Sequence, residues 1–323
     1  MPYAIRIHET GGPDKMRWEE VEVGTPGPGQ VLVRNTAVGL NFIDVYHRTG
    51  LYPNALPLTL GMEGAGVVEA LGPKVKEFKV GDRVAYANPM GSYAEMCLRP
   101  ADRLVKIPAG IDDRIAAAIM LKGMTAWYLV RRTYKVKKGD TILVHAAAGG
   151  VGQILCQWAK SLGATVIGTV GSEDKATLAK KAGCKHVIVT AKENFVAPVK
   201  AITKGKGVPV VYDGVGKDTF MDSLDCLAPL GMMVSFGNAS GAVTQFNPGV
   251  LAQKGSLFLT RPTLFTYTAS REDLVKAARD LFAVVKSKAV KISINQTYPL
   301  REAAQAHIDL EARKTTGSTV LLP

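Results

Sequence analysis

Thr141-Ile142-Leu143-Val144-His145-Ala146-Ala147-Ala148-Gly149-Gly150-Val151-Gly152 decides the fold of this 323-residue chain. Thr141 to His145 is a short β-branched run that reads as a strand, and Val151 to Leu162 reads as a helix. A glycine-rich turn joining a strand to a helix is the setting that a dinucleotide fingerprint requires. Gly149 lets the backbone approach a pyrophosphate, and Gly152 lets the helix pack closely on the strand. The helix start then presents free N–H groups and a positive dipole end to the phosphates. Ala147 stands where the usual GxGxxG pattern has its first glycine.

Outward from this turn, strands and helices alternate. Thr165–Val170, His186–Val189, Pro209–Tyr212, Gly231–Phe236 and Ser256–Leu259 read as further strands, and Glu173–Ala182 as a helix. Such alternation predicts a doubly wound parallel sheet covered on both faces. The first 110 or so residues differ. Met1–Ile7, Gln30–Val38, Gly66–Leu71 and Arg83–Tyr86 are short runs split by Gly/Pro turns, as in a barrel-like or sandwich module. Asp112 and Asp113 can cap a helix through Ala116–Leu121. Beyond Arg261-Pro262 the chain predicts helices over Arg271–Ser287 and Leu300–Arg313, then a strand over Ser318–Leu322 that returns to the first domain. The expected division is 1–123, 124–262 and 263–323, with the last part rejoining the first.

The second strand of the nucleotide unit fixes which nicotinamide is expected. A chain that prefers NAD usually ends this strand in Asp or Glu, which binds the ribose 2′-OH. Here the end reads Thr169-Val170-Gly171-Ser172. Gly171 removes the carboxylate, while Ser172 and Lys175 can meet a 2′-phosphate as donor and countercharge. NADPH is therefore the expected cofactor. The alternative is that Ser172 caps the next helix and Lys175 is solvated.

Composition narrows the class further. Apolar residues make up 47% and charged residues 21%, which reads as globular. The longest apolar stretch, Ile115–Val130, is interrupted by Lys122 and Gly123, and no signal peptide opens the chain, so a cytoplasmic protein without a membrane span is expected. Cys97, Cys156, Cys184 and Cys226 are far apart, which predicts reduced buried thiols rather than a disulfide framework or a zinc knot. The net charge of +12 is dispersed, so specific nucleic-acid binding is not expected from charge alone.

Gly61-Met62-Glu63-Gly64-Ala65-Gly66-Val67-Val68 resembles the GHE-G-GVV segment of medium-chain alcohol dehydrogenases, whose histidine is a zinc ligand; here Met62 occupies that position. Val38 to Asp44 resembles their cysteine-bearing motif, without the cysteine. Neither segment supplies the ligands zinc needs, so no metal site is expected. Asn41-Phe42-Ile43-Asp44, Arg48-Thr49-Gly50-Leu51-Tyr52-Pro53, Lys122-Gly123-Met124-Thr125, His145 to Gly152, Val211-Tyr212-Asp213, Phe236 to Gly241 and Arg313 to Ser318 together resemble the zeta-crystallin-type quinone oxidoreductases along essentially the whole chain. The resemblance implies an α/β protein: a Rossmann doubly wound parallel sheet plus a GroES-like β-barrel-type domain built from both chain ends. It also implies NADPH in the interdomain cleft, commonly in a homodimer. Cofactor contacts would be Asn41, Lys122, Thr125, Ala148, Gly149, Gly150, Val151, Gly152, Gly171, Ser172, Lys175, Gly216, Phe236, Gly237, Asn238 and Arg313. Some relatives place a tyrosine near the adenine ribose where this chain has Thr190.

Without a Lewis acid, simple alcohols and ketones are poor reactants, whereas a quinone is a strong acceptor that hydrogen-bond donors can serve. NADPH-dependent quinone reduction is thus the expected activity. Asn41, Tyr46 and Tyr52 are the candidates to line the substrate pocket: the Asn41 amide as donor to an oxyanion or as ribose ligand, the tyrosines as donors or stacking faces. The bland alternative makes both tyrosines packing residues. Asp44 reads as a cap or a surface carboxylate before an acid, and His47 and His145 as structural. Two rival readings are an enone or alkenal double-bond reductase on the same scaffold, and an AU-rich RNA-binding protein, which the resemblance permits but which lacks an aromatic RNA platform.

Overall fold

The computed structural model describes all 323 residues. The chain divides into two compact units, one of residues 1–124, 268–286 and 292–323, the other of residues 125–267 and 287–291. In chain order the first stretch contains β1 (Tyr3–Ile7), β2 (Arg17–Glu20), β3 (Gln30–Leu40), α1 (Phe42–Thr49), β4 (Leu58–Thr59), β5 (Glu63–Leu71), β6 (Arg83–Ala87), β7 (Met96–Pro100), β8 (Val105–Lys106) and α2 (Asp113–Tyr128). The nucleotide stretch contains β9 (Thr141–Val144), α3 (Gly150–Ser161), β10 (Thr165–Val170), α4 (Glu173–Lys181), β11 (His186–Val189), α5 (Val196–Ile202), β12 (Val208–Asp213), α6 (Phe220–Asp225), β13 (Leu227–Ser235), α7 (Gly249–Gln253), β14 (Phe258–Thr260) and α8 (Leu264–Tyr267). Then follow α9 (Arg271–Lys286), β15 (Ile294–Pro299), α10 (Ala303–Glu311) and β16 (Ser318–Leu322).

The second unit is built on a six-stranded sheet in the order β11-β10-β9-β12-β13-β14, and every pairing in it is parallel. The first strand lies at the centre, so the order reverses on either side of β9, and ligands of open α/β sheets bind beyond the strand ends at such a switch point. Strands buried on both faces must be apolar throughout. Leu143, Ile167, Val211 and Met233 accordingly join one core with Phe195, Phe220 and Leu224 from the covering helices. β13 begins four residues earlier than the sequence suggests. The Pro229–Gly231 turn signal lies inside the strand, where Leu230 takes φ 60° and the register against β12 shifts between Val208 and Val210.

The first unit holds a seven-stranded sheet, β15-β16-β3-β5-β6-β8 with β7 also on β3, and a three-stranded sheet β2-β1-β4. The C-terminal strand does return: β16 pairs antiparallel with β3, Leu321 opposite Val38. Ile5, Ile7, Leu60, Leu300 and Ala306 pack with Val38 and Leu321 in one cluster. α2 is longer than the predicted segment, and Asp112 accepts the Arg114 N–H at 2.8 Å as its cap. Asp113 instead binds Thr36 and Arg83. All four cysteines are buried thiols. No helix is long and apolar enough to cross a membrane.

Candidate functional site

The glycine turn folds as its residues dictate. Gly149 is the N-cap of α3 and no side chain caps the helix. The N–H groups of its first turn, Gly150 to Gly152, therefore face outward without an intrahelical acceptor. A Cβ at Gly152 would lie 2.2 Å from the Ala146 carbonyl oxygen and 2.9 Å from Ala147 Cα, so only glycine fits there. Ala147 replaces the first glycine because the space for its methyl comes from the neighbouring strand: a Cβ at Gly168 would sit 2.8 Å from Ala147 Cβ. Gly168 was visible in the sequence, but only the β9–β10 pairing shows what it compensates.

At the end of β10 a Cβ on Gly171 would meet nothing within 4 Å, so this position opens onto free space. Ser172 is the N-cap of α4 by backbone position, yet its hydroxyl makes no capping bond. Lys175 is half-buried on the first turns of the same helix. Two acids, Glu173 and Asp174, lie between them in the first turn, and Glu173 is paired with Lys192 at 2.5 Å. Beyond β12, the buried Asp213 accepts the N–H groups of Val215 and Gly216 at 2.7 and 3.1 Å and the Thr219 hydroxyl at 2.8 Å. Gly216 thus shapes the loop with its N–H engaged. The Phe236 N–H donates to the Asp213 carbonyl at 2.7 Å, and Gly237 packs where a Cβ would strike Gly214 O at 2.3 Å. In the orientation its neighbours require, the Asn238 amide oxygen accepts from Arg261 at 3.0 Å. Ala148 to Gly152, Gly171, Ser172, Lys175, Gly216 and Phe236 to Asn238 all follow the C-terminal ends of parallel strands. His145 is structural: its ring lies 2.8 Å from both Thr169 Oγ1 and Ser223 Oγ, and burial lowers its pKa.

In the first unit, Asn41, Glu63 and Lys122 form one buried group. Glu63 is fully buried; its Oε2 accepts the Leu121 N–H at 2.6 Å, and its Oε1 accepts Asn41 Nδ2 at 2.9 Å and pairs with the Lys122 ammonium. Gly39 makes room for this carboxylate, since a Cβ there would be 2.3 Å from Oε1. The Asn41 NH2, a candidate donor to substrate, is here directed at Glu63 and at Gly39 O. Glu63 follows Met62 in the sequence, but its partners are 22 and 59 residues away and no local pattern joins them. Asp44 is no surface carboxylate. It is fully buried and caps α1, its Oδ2 accepting the Asn41 N–H at 2.8 Å and the Tyr93 hydroxyl at 2.9 Å. Burial pushes its pKa to about 7. Tyr46 and Tyr52 stand edge to face with ring centroids 5.3 Å apart, and Phe42 lies 6.2 Å from Tyr46. Thr125 is half-buried on α2, and Arg313 is exposed after α10 with φ 59°.

The chain matches two family profiles: an alcohol dehydrogenase GroES-like domain over residues 27–109 and a zinc-binding dehydrogenase domain over residues 150–283. A quinone oxidoreductase of Pseudomonas aeruginosa is 54% identical over the full length of both chains. The chain belongs to the quinone oxidoreductase family of medium-chain dehydrogenases/reductases. A 2-haloacrylate reductase from a Burkholderia species is 50% identical across all of this chain and 99% of its own. Among solved structures, Escherichia coli quinone oxidoreductase complexed with NADPH superposes with a TM-score of 0.98 at 49% identity, over 99% of this chain and all of the other. The name of the second family implies zinc, but the residues of this family member do not fit it. Met62 stands where the histidine ligand is expected, Val38 to Asp44 contains no cysteine, Glu63 already binds an ammonium and two N–H donors, and no three His, Cys, Asp or Glu side chains converge anywhere.

Proposed function

We propose that this chain oxidises NADPH and reduces a quinone. The observation that carries the reading is the open end of β10, where Gly171 leaves space and Ser172 keeps its hydroxyl uncommitted to a cap. A 2′-phosphate takes a donor and a countercharge there, from Ser172 and Lys175. The first-turn N–H groups of α3 take the pyrophosphate. The high identity to proteins named quinone oxidoreductase supports the same conclusion.

When bound, NADPH supplies two reducing equivalents. The chain's own residues bind and orient. The Lys122 ammonium, held by Glu63, gives the first unit a fixed buried positive charge beside Asn41, whose carbonyl oxygen accepts the Asp44 N–H in a capping box and has a second lone pair for a ribose hydroxyl. Phe42, Tyr46 and Tyr52 offer aromatic faces and edges to a flat ring, and the tyrosine hydroxyls serve as donors to a developing phenolate. A reduced quinone oxygen needs no metal to be a stable product.

A conjugated alkene is the second acceptor class, favoured by the similarity to 2-haloacrylate reductase. Initial rates with NADPH against 1,4-benzoquinone, 2-chloroacrylate and an enone separate the two. Turnover of the quinone at least tenfold above the others supports the reading, and turnover of only the alkenes replaces it. A cytoplasmic homodimer belongs to the same proposal. The four free thiols suit a reducing compartment, and the edge strand β14 exposes Phe258 and Leu259 for a symmetric contact. Light scattering at micromolar concentration checks the dimer.

A further inference from the structure

A second line of buried polar groups runs through the first unit and ends at the helix that presents Asn41. Its outer end is Glu311 on α10, which accepts from Arg48 Nη2 at 2.9 Å. Arg48, on α1, is 1% exposed and also donates from Nε to Gly11 O at 3.0 Å. Its Nη1 lies 2.9 Å from His307 Nδ1. His307 Nε2 lies 3.2 Å from the Tyr93 hydroxyl, and that hydroxyl donates to Asp44 Oδ2 at 2.9 Å.

The direction of every bond in this line is forced. A guanidinium has donors only, so His307 Nδ1 accepts and Nε2 carries the hydrogen. That hydrogen points at the Tyr93 oxygen, which leaves the tyrosine hydrogen for the carboxylate. A protonated His307 could not accept from Arg48, and burial and the arginine push its pKa to about 3, which keeps it neutral. Asp44 Oδ2 therefore receives two donors, Tyr93 and the Asn41 N–H, while its buried Oδ1 has no partner. A proton on Oδ2 displaces one of those donors; a proton on Oδ1 finds no acceptor. Either event loosens the cap that fixes Asn41.

We propose that Tyr93 and His307 are positioning residues: they hold Asp44 as the anionic cap of α1 and thereby set Asn41 against Glu63 and Lys122 for cofactor binding. The proposal rests on the NADPH reading. The charges facing Asp44 are Lys122 on α2, which favours its anion, and Glu63 on β5, which opposes it. Tyr93 precedes β7, His307 lies on α10, and Arg48 acts on both from α1. Burial is the largest influence on Asp44 and works against the anion, so the donors decide whether the cap stays charged near neutrality. A merely structural core would do better with apolar groups of the same volume than with five linked polar ones.

The test compares wild type with Tyr93→Phe, His307→Phe, His307→Gln and Asp44→Asn. The Asp44 carboxyl is titrated by carbon-13 NMR, assigned by its absence in Asp44→Asn. In parallel, kcat/KM for NADPH at saturating 1,4-benzoquinone is measured from pH 5 to 9. Wild type should show an Asp44 midpoint and an acid limb that coincide near 7. Tyr93→Phe and His307→Phe should raise the Asp44 proton affinity tenfold or more and move the acid limb up with it, with kcat changing less. His307→Gln, whose amide oxygen accepts from Arg48 and whose NH2 donates to Tyr93, should restore both. Melting curves at pH 8 identify folded variants, and Asp44→Asn in a folded state should lack the limb. An unmoved midpoint in folded Tyr93→Phe, or a moved midpoint with an unmoved limb, overturns the proposal while leaving the NADPH reading intact. A folded wild type that neither binds nor oxidises NADPH removes that reading and the positioning role with it.

Discussion

Replacing Lys122 by methionine keeps an unbranched side chain of similar length and removes only the cation from Glu63. The carboxylate is fully buried, and its partner side chain is 7% exposed, so water cannot substitute for the ammonium. Glu63 retains the Leu121 N–H and Asn41 Nδ2. Removing one partner of a buried ion pair costs about 3–5 kcal/mol. For a unit of this size each kcal/mol lowers the melting temperature by about 2–4 °C, so a fall of about 10 °C is expected at pH 8. Calorimetry at pH 8 reads the effect, and Glu63→Leu combined with Lys122→Met should recover most of the loss because it leaves no buried charge. A single variant that melts within 1 °C or so of wild type at pH 8, or a double variant that recovers none of the loss, refutes the buried-pair account.

Gly152→Ala should weaken NADPH binding far more than Gly149→Ala, since the new Cβ meets Ala146 O at 2.2 Å in the first case and 3.2 Å in the second; cofactor fluorescence titrations compare them. Gly171→Asp fills the open end of β10 with a carboxylate and should invert the preference toward NADH, lowering the NADPH-to-NADH ratio of kcat/KM by about 100-fold or more, on the order of 3 kcal/mol. Asp44, raised from 3.8 to about 7, withdraws stability as pH climbs through that window, by about 4 kcal/mol. His307, lowered from 6.5 to about 3, returns a similar amount as pH climbs from 3 to 6.5. Wild-type stability should therefore vary little from these two groups between pH 4 and 6.5, whereas Asp44→Asn should gain steadily on wild type from pH 4 to 7 in urea unfolding.

The parts of this protein that depend on neighbours in sequence were legible in it. The β9–turn–α3 motif, the alternation that builds the parallel sheet, and the return of Ser318–Leu322 to the first unit follow from local periodicity and glycine placement. So does the absence of an acid at the end of β10. α1 was not read, because Asn41 to Thr49 follows an apolar strand without a break and its cap acid, Asp44, is indistinguishable in sequence from a surface carboxylate. The first residues of β13 lie outside the apolar run Gly231–Phe236, because Pro229–Gly231 enters the strand through a register shift that no local pattern shows. Glu63 with Lys122, and Asp44 with Tyr93 and His307, were illegible for a different reason. They are joined across 59, 49 and 214 residues by polar side-chain contacts, and such contacts between distant residues leave no periodic trace. The same limit hid why Ala147 is tolerated, since Gly168 compensates from the adjacent strand.

The central claim is that a site shaped for a 2′-phosphate feeds an electron-hungry acceptor without help from a metal. The most direct measurement is kcat/KM for NADPH and for NADH with 1,4-benzoquinone, each in the presence and absence of a strong chelator. A preference for NADPH of about tenfold or more, unchanged by chelator, is expected from the Gly171–Ser172–Lys175 end of β10. Equal or better use of NADH, or activity lost on chelation and restored by zinc, contradicts it.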